Sequence, residues 1–359
     1  MTTTEWPYKG PHAWLRDRTI LLSLHGSHAY GLNVATSDVD LKGVAVPPAH
    51  YLHGFDKTFE QAEQSEPDLV IFGVQKFMRL AAECNPNIIE ILFTEESEVR
   101  ICTAAGRELR DHRQEFLSKK AKHTFSGYAM SQLKRIRGHY RWLKNPPKAP
   151  PSRTDMGLPE RTVIPTDQLQ AAQSAVEKAL ARWNLTEMSG IEPADRNTLQ
   201  NTMAEMLAEA KIGTDELYMA AARTVGYDEN FIRLLDIERQ YTGRKKDWES
   251  YQNWLKTRNP ARAEIESKYG YDTKHGMHLV RLMKCAREIL TTGEVHVKRD
   301  DREELLAIRH GAWPYEQLIE WAEKEDKELE AAYHASTLPH APDREKLACL
   351  CVRIVESML

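Results

Sequence analysis

No stretch of eighteen consecutive apolar residues occurs in this 359-residue chain, so no membrane-spanning helix is expected. The first residues, 1–7, lack a basic region leading into an apolar core, and no secretory signal is expected. Cysteine is scarce: Cys84, Cys102, Cys285, Cys349 and Cys351 are scattered and odd in number. That suits a reducing, cytoplasmic setting. Cys349-Leu350-Cys351 stands too isolated for a zinc site and reads as buried thiols. An excess of positive charge is also missing. The formal net charge is −4, so any contact with nucleic acid must come from a local patch. Low complexity is confined to residues 145–167, which hold six prolines and read as a long exposed loop, mobile or able to close over a site.

With 41% hydrophobic and 28% charged residues, the chain has a soluble globular composition. Its length suits two or three domains. An apolar run, Thr19 to Leu24, reads as a buried strand. A small-residue turn, Gly26-Ser27, follows, suited by backbone access and a hydroxyl to holding a phosphate. Asp38 and Asp40 then head a second apolar run, Leu41 to Val46. Two residues apart on a strand, they share a face with Cα atoms about 6.5–7 Å apart. Such a pair suits magnesium, a hard cation that takes carboxylate and phosphate oxygens. Asp68 leads a third apolar, β-branched run, Leu69 to Phe72. Lys42 is left out of the site. His25 and His28 read as packed or solvated, Tyr30 as a base-stacking or core residue, and Glu90 as a brace.

Helical spacing of apolar residues is expected over 74–83, 88–93, 104–116, 168–183, 195–210, 214–224, 228–239, 273–291, 302–308, 315–324, 324–333 and 343–358. Asp195 and Thr214 are candidate N-caps, and Asp272 caps the helix from 273. On that helix Lys274, His278 and Arg281 share one face, with His275 beside them. Lys256, Arg258 and Arg262 are further candidate phosphate contacts. Segment 118–148 carries nine Lys or Arg and no Asp or Glu, with Tyr128, Tyr140 and Trp142 interleaved. Lys134, Arg135, Arg137 and Arg141 within it are candidate RNA contacts.

Gly-Ser, then Asp-x-Asp, then a third acid on a later strand resembles the DNA polymerase β-type nucleotidyltransferase superfamily. The longer text, including Gly26-Ser27-x-x-Tyr30-Gly31, Ser37-Asp38-x-Asp40-x-x-Gly43, 85–93 and 271–282, is similar to the RlaP-like family associated with RNA ligases. The resemblance implies an α+β chain. A small mixed-sheet nucleotidyltransferase domain, 1–115, would precede a larger helical domain, 116–359, with the proline-rich loop near 145–167. It also implies a two-metal magnesium site, with manganese as an alternative, held by Asp38, Asp40 and Asp68. A nucleoside triphosphate would be held by Gly26, Ser27, Lys274, His275, His278 and Arg281. The acceptor would be an RNA end in repair or processing. AMP transfer to a protein or small molecule, and a catalytically silent nucleotide- or RNA-binding module, are the alternatives. A phosphatase that uses Asp-x-Asp as nucleophile is disfavoured, because polar Ala35-Thr36-Ser37 precedes Asp38.

Overall fold

The computed structural model describes residues 6–35, 37–162, 164–183 and 214–359. The helix expected over 195–210, with its cap Asp195, lies outside them. Five strands form one mixed sheet: β1 (Thr19–His25), β2 (Asp40–Ala45), β3 (Gln61–Ser65), β4 (Asp68–Gly73) and β5 (Val99–Cys102). Their order across the sheet is β3-β4-β2-β1-β5. β2 and β4 run parallel, and the other neighbours are antiparallel. The chain is α+β, with the sheet in its N-terminal part and a larger helical part after it.

The three strands with strong apolar patterns occupy the centre of the sheet. All seven residues of β1 are buried, as its run of apolar residues at both parities requires. The strands that sequence pattern did not reveal, β3 and β5, are the two edges. An edge strand needs little apolar surface, and Gln61-Ala62-Glu63-Gln64-Ser65 has one buried residue, Ala62.

Helices follow as α1 (Val74–Ala82), α2 (Pro86–Phe93), α3 (Ala104–Asp111) and α4 (Lys120–Lys144). Then come α5 (Thr166–Trp183), α6 (Thr214–Val225), α7 (Glu229–Thr257) and α8 (Pro260–Tyr269). The last four are α9 (Thr273–Thr292), α10 (Arg302–Arg309), α11 (Tyr315–Ala335) and α12 (Arg344–Glu356). Two expected breaks do not occur: α7 continues well past residue 239, and 315–324 and 324–333 fuse into α11. Caps explain several boundaries. Asn85 caps α2 ahead of Pro86, and Thr103 caps α3. Asp272 caps α9 as expected, its Oδ1 accepting from the backbone N–H of Lys274 at 3.0 Å and of His275 at 3.1 Å. Gly293, at φ +72°, ends the same helix in the left-handed region that glycine adopts without steric cost.

Contacts divide the chain into two units. One joins Met1–Leu143 to Pro260–Leu359, and the other is Lys144–Asn259. The expected boundary at 115 falls inside the first unit. There Leu21, Val44 and Phe72 of the sheet share one core with Phe77, Ile88, Met277, Val280 and Leu350. The other sheet face packs Leu22, Leu69 and Ile71 against Tyr8 and Leu15. Cys349, expected to be buried, is exposed, and Cys351 is half-buried.

Within the second unit, Val176, Ala221, Ile232 and Leu235 centre a small core. The proline-rich stretch is anchored in this unit. The Arg153 guanidinium makes a two-pronged pair with Glu238, at 2.9 and 2.5 Å, and donates to the Pro159 carbonyl at 2.8 Å. Leu158 beside it is buried. Among the described residues no helix is long and apolar enough to cross a membrane.

Candidate active site

Strand register places two of the acids, and Asp38 lies two residues before β2. Asp40 lies opposite Asp68 on the parallel neighbour β4 and opposite His25 on β1. Residues paired in register point to the same side of a sheet, so His25, Asp40 and Asp68 form one row. The next row on that side is Ser23, Lys42 and Val70, and the next is Leu21, Val44 and Phe72. The apolar row sits in the core, and the polar rows approach the strand ends where the face opens. Asp38 and Asp68 are exposed and Asp40 is half-buried.

Electrostatics ties the acids to one another. The Asp40 carboxyl is raised above its usual range, first by burial and then by the charge of Asp68, with Asp38 adding to it. Lys42 and Lys274 act in the opposite sense. Among the described residues no three His, Cys, Asp or Glu side chains are gathered into a ready-made metal cluster. The donor set nevertheless fits a hard divalent cation. It consists of carboxylates, of which Asp40 is crowded enough by burial and by Asp68 to disfavour its ionisation.

The Gly26-Ser27 turn stands directly over this row. Gly26 has φ +62°, and a Cβ there would lie 2.0 Å from Asp40 Oδ2. Only glycine lets the backbone come so near that carboxylate. The turn is held from behind by Leu32 N–H donating to the Ser27 carbonyl at 2.8 Å.

Lys42 was not expected here, yet alternation along β2 puts Lys42 on the same face as Asp40. Its ammonium is pushed down by burial, against the pull of Glu90, Asp40 and Asp68. The period of two was the signal in the sequence that could have found it.

The helix α9 group divides. Lys274 is half-buried and within electrostatic reach of Asp40. His275 is buried at the cap, with Arg262 Nη1 2.5 Å from its Nε2. His278 lies between Arg281, Lys274, His275 and Arg309. Arg281 is not on the open face. It is buried beneath it, its Nη1 donating to Glu90 Oε1 at 2.5 Å and its guanidinium 3.7 Å from the centre of the Tyr30 ring. Tyr30 donates its hydroxyl to Glu90 Oε2 at 2.6 Å, and His25 Nε2 is 3.9 Å from the same oxygen. Burial alone would raise the Glu90 carboxyl, but Arg281 and His25 outweigh it and hold it low. Tyr30 is therefore a core residue, and Glu90 a brace joining α2, α9 and both ends of the glycine-serine turn.

The basic helix α4 is less free than its composition implied. Lys120 pairs with Glu83 at 2.6 Å, Lys122 with Glu330, and Arg137 with Glu323 at 2.7 Å. Tyr140 stacks on Tyr315 at 3.7 Å between ring centres. Lys134, Arg135 and Arg141 are exposed. Arg258, in the other unit, lies over the Trp254 ring at 4.4 Å.

Three histidines, His25 and His275 buried and His278 half-buried, make stability pH-dependent. Burial, then Lys42, lowers His25 to about 3. Burial, then Arg262, lowers His275 to about 4, against the pull of Asp272. Burial, then Arg281 and Lys274, takes His278 well below 6.5. Unfolded histidines take up protons below about 6.5 while the folded ones stay neutral, so stability falls as pH drops from there towards 4. The limit is about 1.4 kcal/mol per histidine per pH unit. Urea midpoints at pH 7 and pH 5 should differ accordingly, and His278→Gln should shrink the difference. Equal midpoints for the native chain would contradict this account.

The Gly26-Ser27 turn over Asp40, with Asp68 on the parallel neighbour, is similar to the pattern of DNA polymerase β-type nucleotidyltransferases. Comparison narrows the class: residues 11–145 match the family model described as RlaP, RNA repair pathway DNA polymerase beta family. That match bears out, over this segment, the resemblance drawn from the motifs, and it supports a polymerase β-like nucleotidyltransferase role connected with RNA repair. An uncharacterized 38.9 kDa protein from the nrdC-mobD intergenic region of Enterobacteria phage T4 is 30% identical over 87 residues. The alignment covers 21% of this chain and 26% of that protein, so about a quarter of the relative's length is spanned. No solved structure matches the chain.

Proposed function

We propose that this chain is a magnesium-dependent nucleotidyltransferase that moves a nucleoside monophosphate from a nucleoside triphosphate to the terminal hydroxyl of an RNA. The register of Asp40 against Asp68 carries the reading. It sets an acid from a separate part of the sequence beside Asp40. Asp38, Asp40 and Asp68 would hold the divalent cations, which supply charge neutralisation and in-line alignment when bound.

The acceptor oxygen forms a bond to the α-phosphorus as the bond to the bridging oxygen of the β-phosphate breaks, and pyrophosphate departs. The hydroxyl proton leaves to a carboxylate or to solvent. Gly26 and Ser27 offer a backbone without a Cβ and a hydroxyl to the phosphates. Lys42 and Lys274 offset charge that builds on the leaving group. Glu90, Arg281 and Tyr30 keep the turn in place. The family name supports RNA as acceptor over a small molecule, while the acids already engaged by α4 favour keeping a protein acceptor as the second reading.

The test is incubation with each α-labelled nucleoside triphosphate, magnesium or manganese, and a short 3′-hydroxyl RNA. Label should enter the RNA, and EDTA should abolish it. Label on protein alone would favour the second reading. No transfer from any triphosphate, with the protein folded, would defeat the proposal.

A further inference from the structure

Cations continue away from the acid row in one direction, and they exceed what one triphosphate needs. Lys274 adjoins Asp40 electrostatically. Arg309 is tied beside it: Thr273 Oγ1 donates to the Arg309 carbonyl at 2.6 Å, and Arg309 Nη1 donates to the Leu32 carbonyl at 3.2 Å, in the loop after the glycine-serine turn. Arg262 lies across the start of α9, 3.1 Å from Asp272 Oδ2 and 2.5 Å from His275 Nε2. Arg135 of α4 and His139 act on the same His275. Lys134 and Arg135 are exposed and make no ion pair with an acid among the described residues.

Acids beside this run are already engaged. Asp272 is occupied as the cap and as the partner of Arg262, and Glu266 is buried against His139 at 3.0 Å. Glu323 and Glu316 engage Arg137 and Tyr140 further along α4. Lys274, Arg309, Arg262, Arg135 and Lys134 thus form a cationic run from the acid row to α4. Residues 134–141 of α4 extend it by about 10 Å of helix axis. A ligand of regularly repeated single negative charges matches such a line; a compact triphosphate, matched by Ser27, Lys42 and Lys274, does not reach along it.

We propose that this run is the path of the acceptor strand: single-stranded RNA whose last phosphodiesters lie on Lys274, Arg309 and Arg262 and whose upstream phosphates lie on Arg135 and Lys134. This rests on the transferase reading of the acid row. It assigns α4 a directional role that the composition of segment 118–148 could not supply, because it selects Lys134 and Arg135 and sets aside Lys120, Lys122 and Arg137, which pair with acids.

The experiment measures binding, not transfer, so that it is independent of the chemistry. A 5′-fluorescein-labelled single-stranded oligoribonucleotide is titrated with the full chain over a range of salt. The double variant Lys134→Glu/Arg135→Glu, on an exposed face, should bind about tenfold or more weakly, and its log–log salt slope should be shallower by about 1.4. Lys120→Glu, at a cation paired with Glu83, serves as the control and should change RNA affinity less than the double variant does. Unchanged RNA affinity in the double variant, no RNA binding by the native chain, or equal competition by polyglutamate would overturn the path. Native-like RNA binding that depends on Arg135, in a protein that transfers no nucleotide, would leave the path standing and defeat the transferase reading instead.

Discussion

Asp40→Asn is expected to lower nucleotidyl transfer by about a thousandfold, while leaving the protein at least as stable as before. A divalent cation supplies several kcal/mol of charge stabilisation at a transferring phosphoryl group. Losing about 4 kcal/mol of it corresponds to about three powers of ten in rate. The stability half follows from the raised Asp40 carboxyl. Burial and Asp68 disfavour its charged form in the folded chain, so at neutral pH the ionised group works against folding relative to the unfolded state. A neutral isostere removes that opposition. A structural acid would behave in the reverse way, with stability lost and transfer following only because the protein unfolds. Asp68→Asn should resemble Asp40→Asn in transfer, since the two occupy one register position on adjacent strands. Rates from single-turnover label transfer, set beside urea midpoints, separate the two outcomes. Transfer within tenfold of the native rate in either variant would remove that acid from the site.

The strands that pair Asp40 with Asp68 were readable in the sequence because their determinants are local. Asp40 and Asp68 each head an apolar run, and the period of two fixes the face of each. The same rule, applied one step further, includes Lys42. What was not readable is pairing at long range. Arg281 shares a helical face with Lys274 and His278 in the sequence, yet its partner Glu90 is 191 residues away, and that pairing turns a candidate phosphate ligand into a buried strut. The basic segment was readable only in part, for a related reason. It contains no acid of its own, but Glu83, Glu323 and Glu330 reach it from other elements. The edge strands β3 and β5 escaped because pairing on one side satisfies their backbone without an apolar pattern. Asp272 was legible, because an N-cap is decided by residues immediately beside it.

Removing Glu90 should be the most destabilising single change in the sheet-containing unit, at about 3–5 kcal/mol. Glu90→Ala strands the Arg281 guanidinium, which is buried, and takes the acceptor from the Tyr30 hydroxyl. It also exposes His25 to the charge of Arg281 without the compensating carboxylate. Arg281→Ala leaves the opposite charge unpaired and should cost a similar amount. Because the two losses are one interaction counted from each end, Glu90→Ala combined with Arg281→Ala should cost less than the sum of the single changes. Urea unfolding of the four proteins gives the coupling directly, and additive effects would mean that the pair does not act as a unit. The consequence reaches the open face through the chain itself. His25 precedes Gly26-Ser27 and Tyr30 follows it, and both lean on the same carboxylate. A double variant that folds should therefore keep Asp40 and Asp68 in register while holding the turn more loosely. Its defect should appear in triphosphate affinity more than in the turnover of bound substrate.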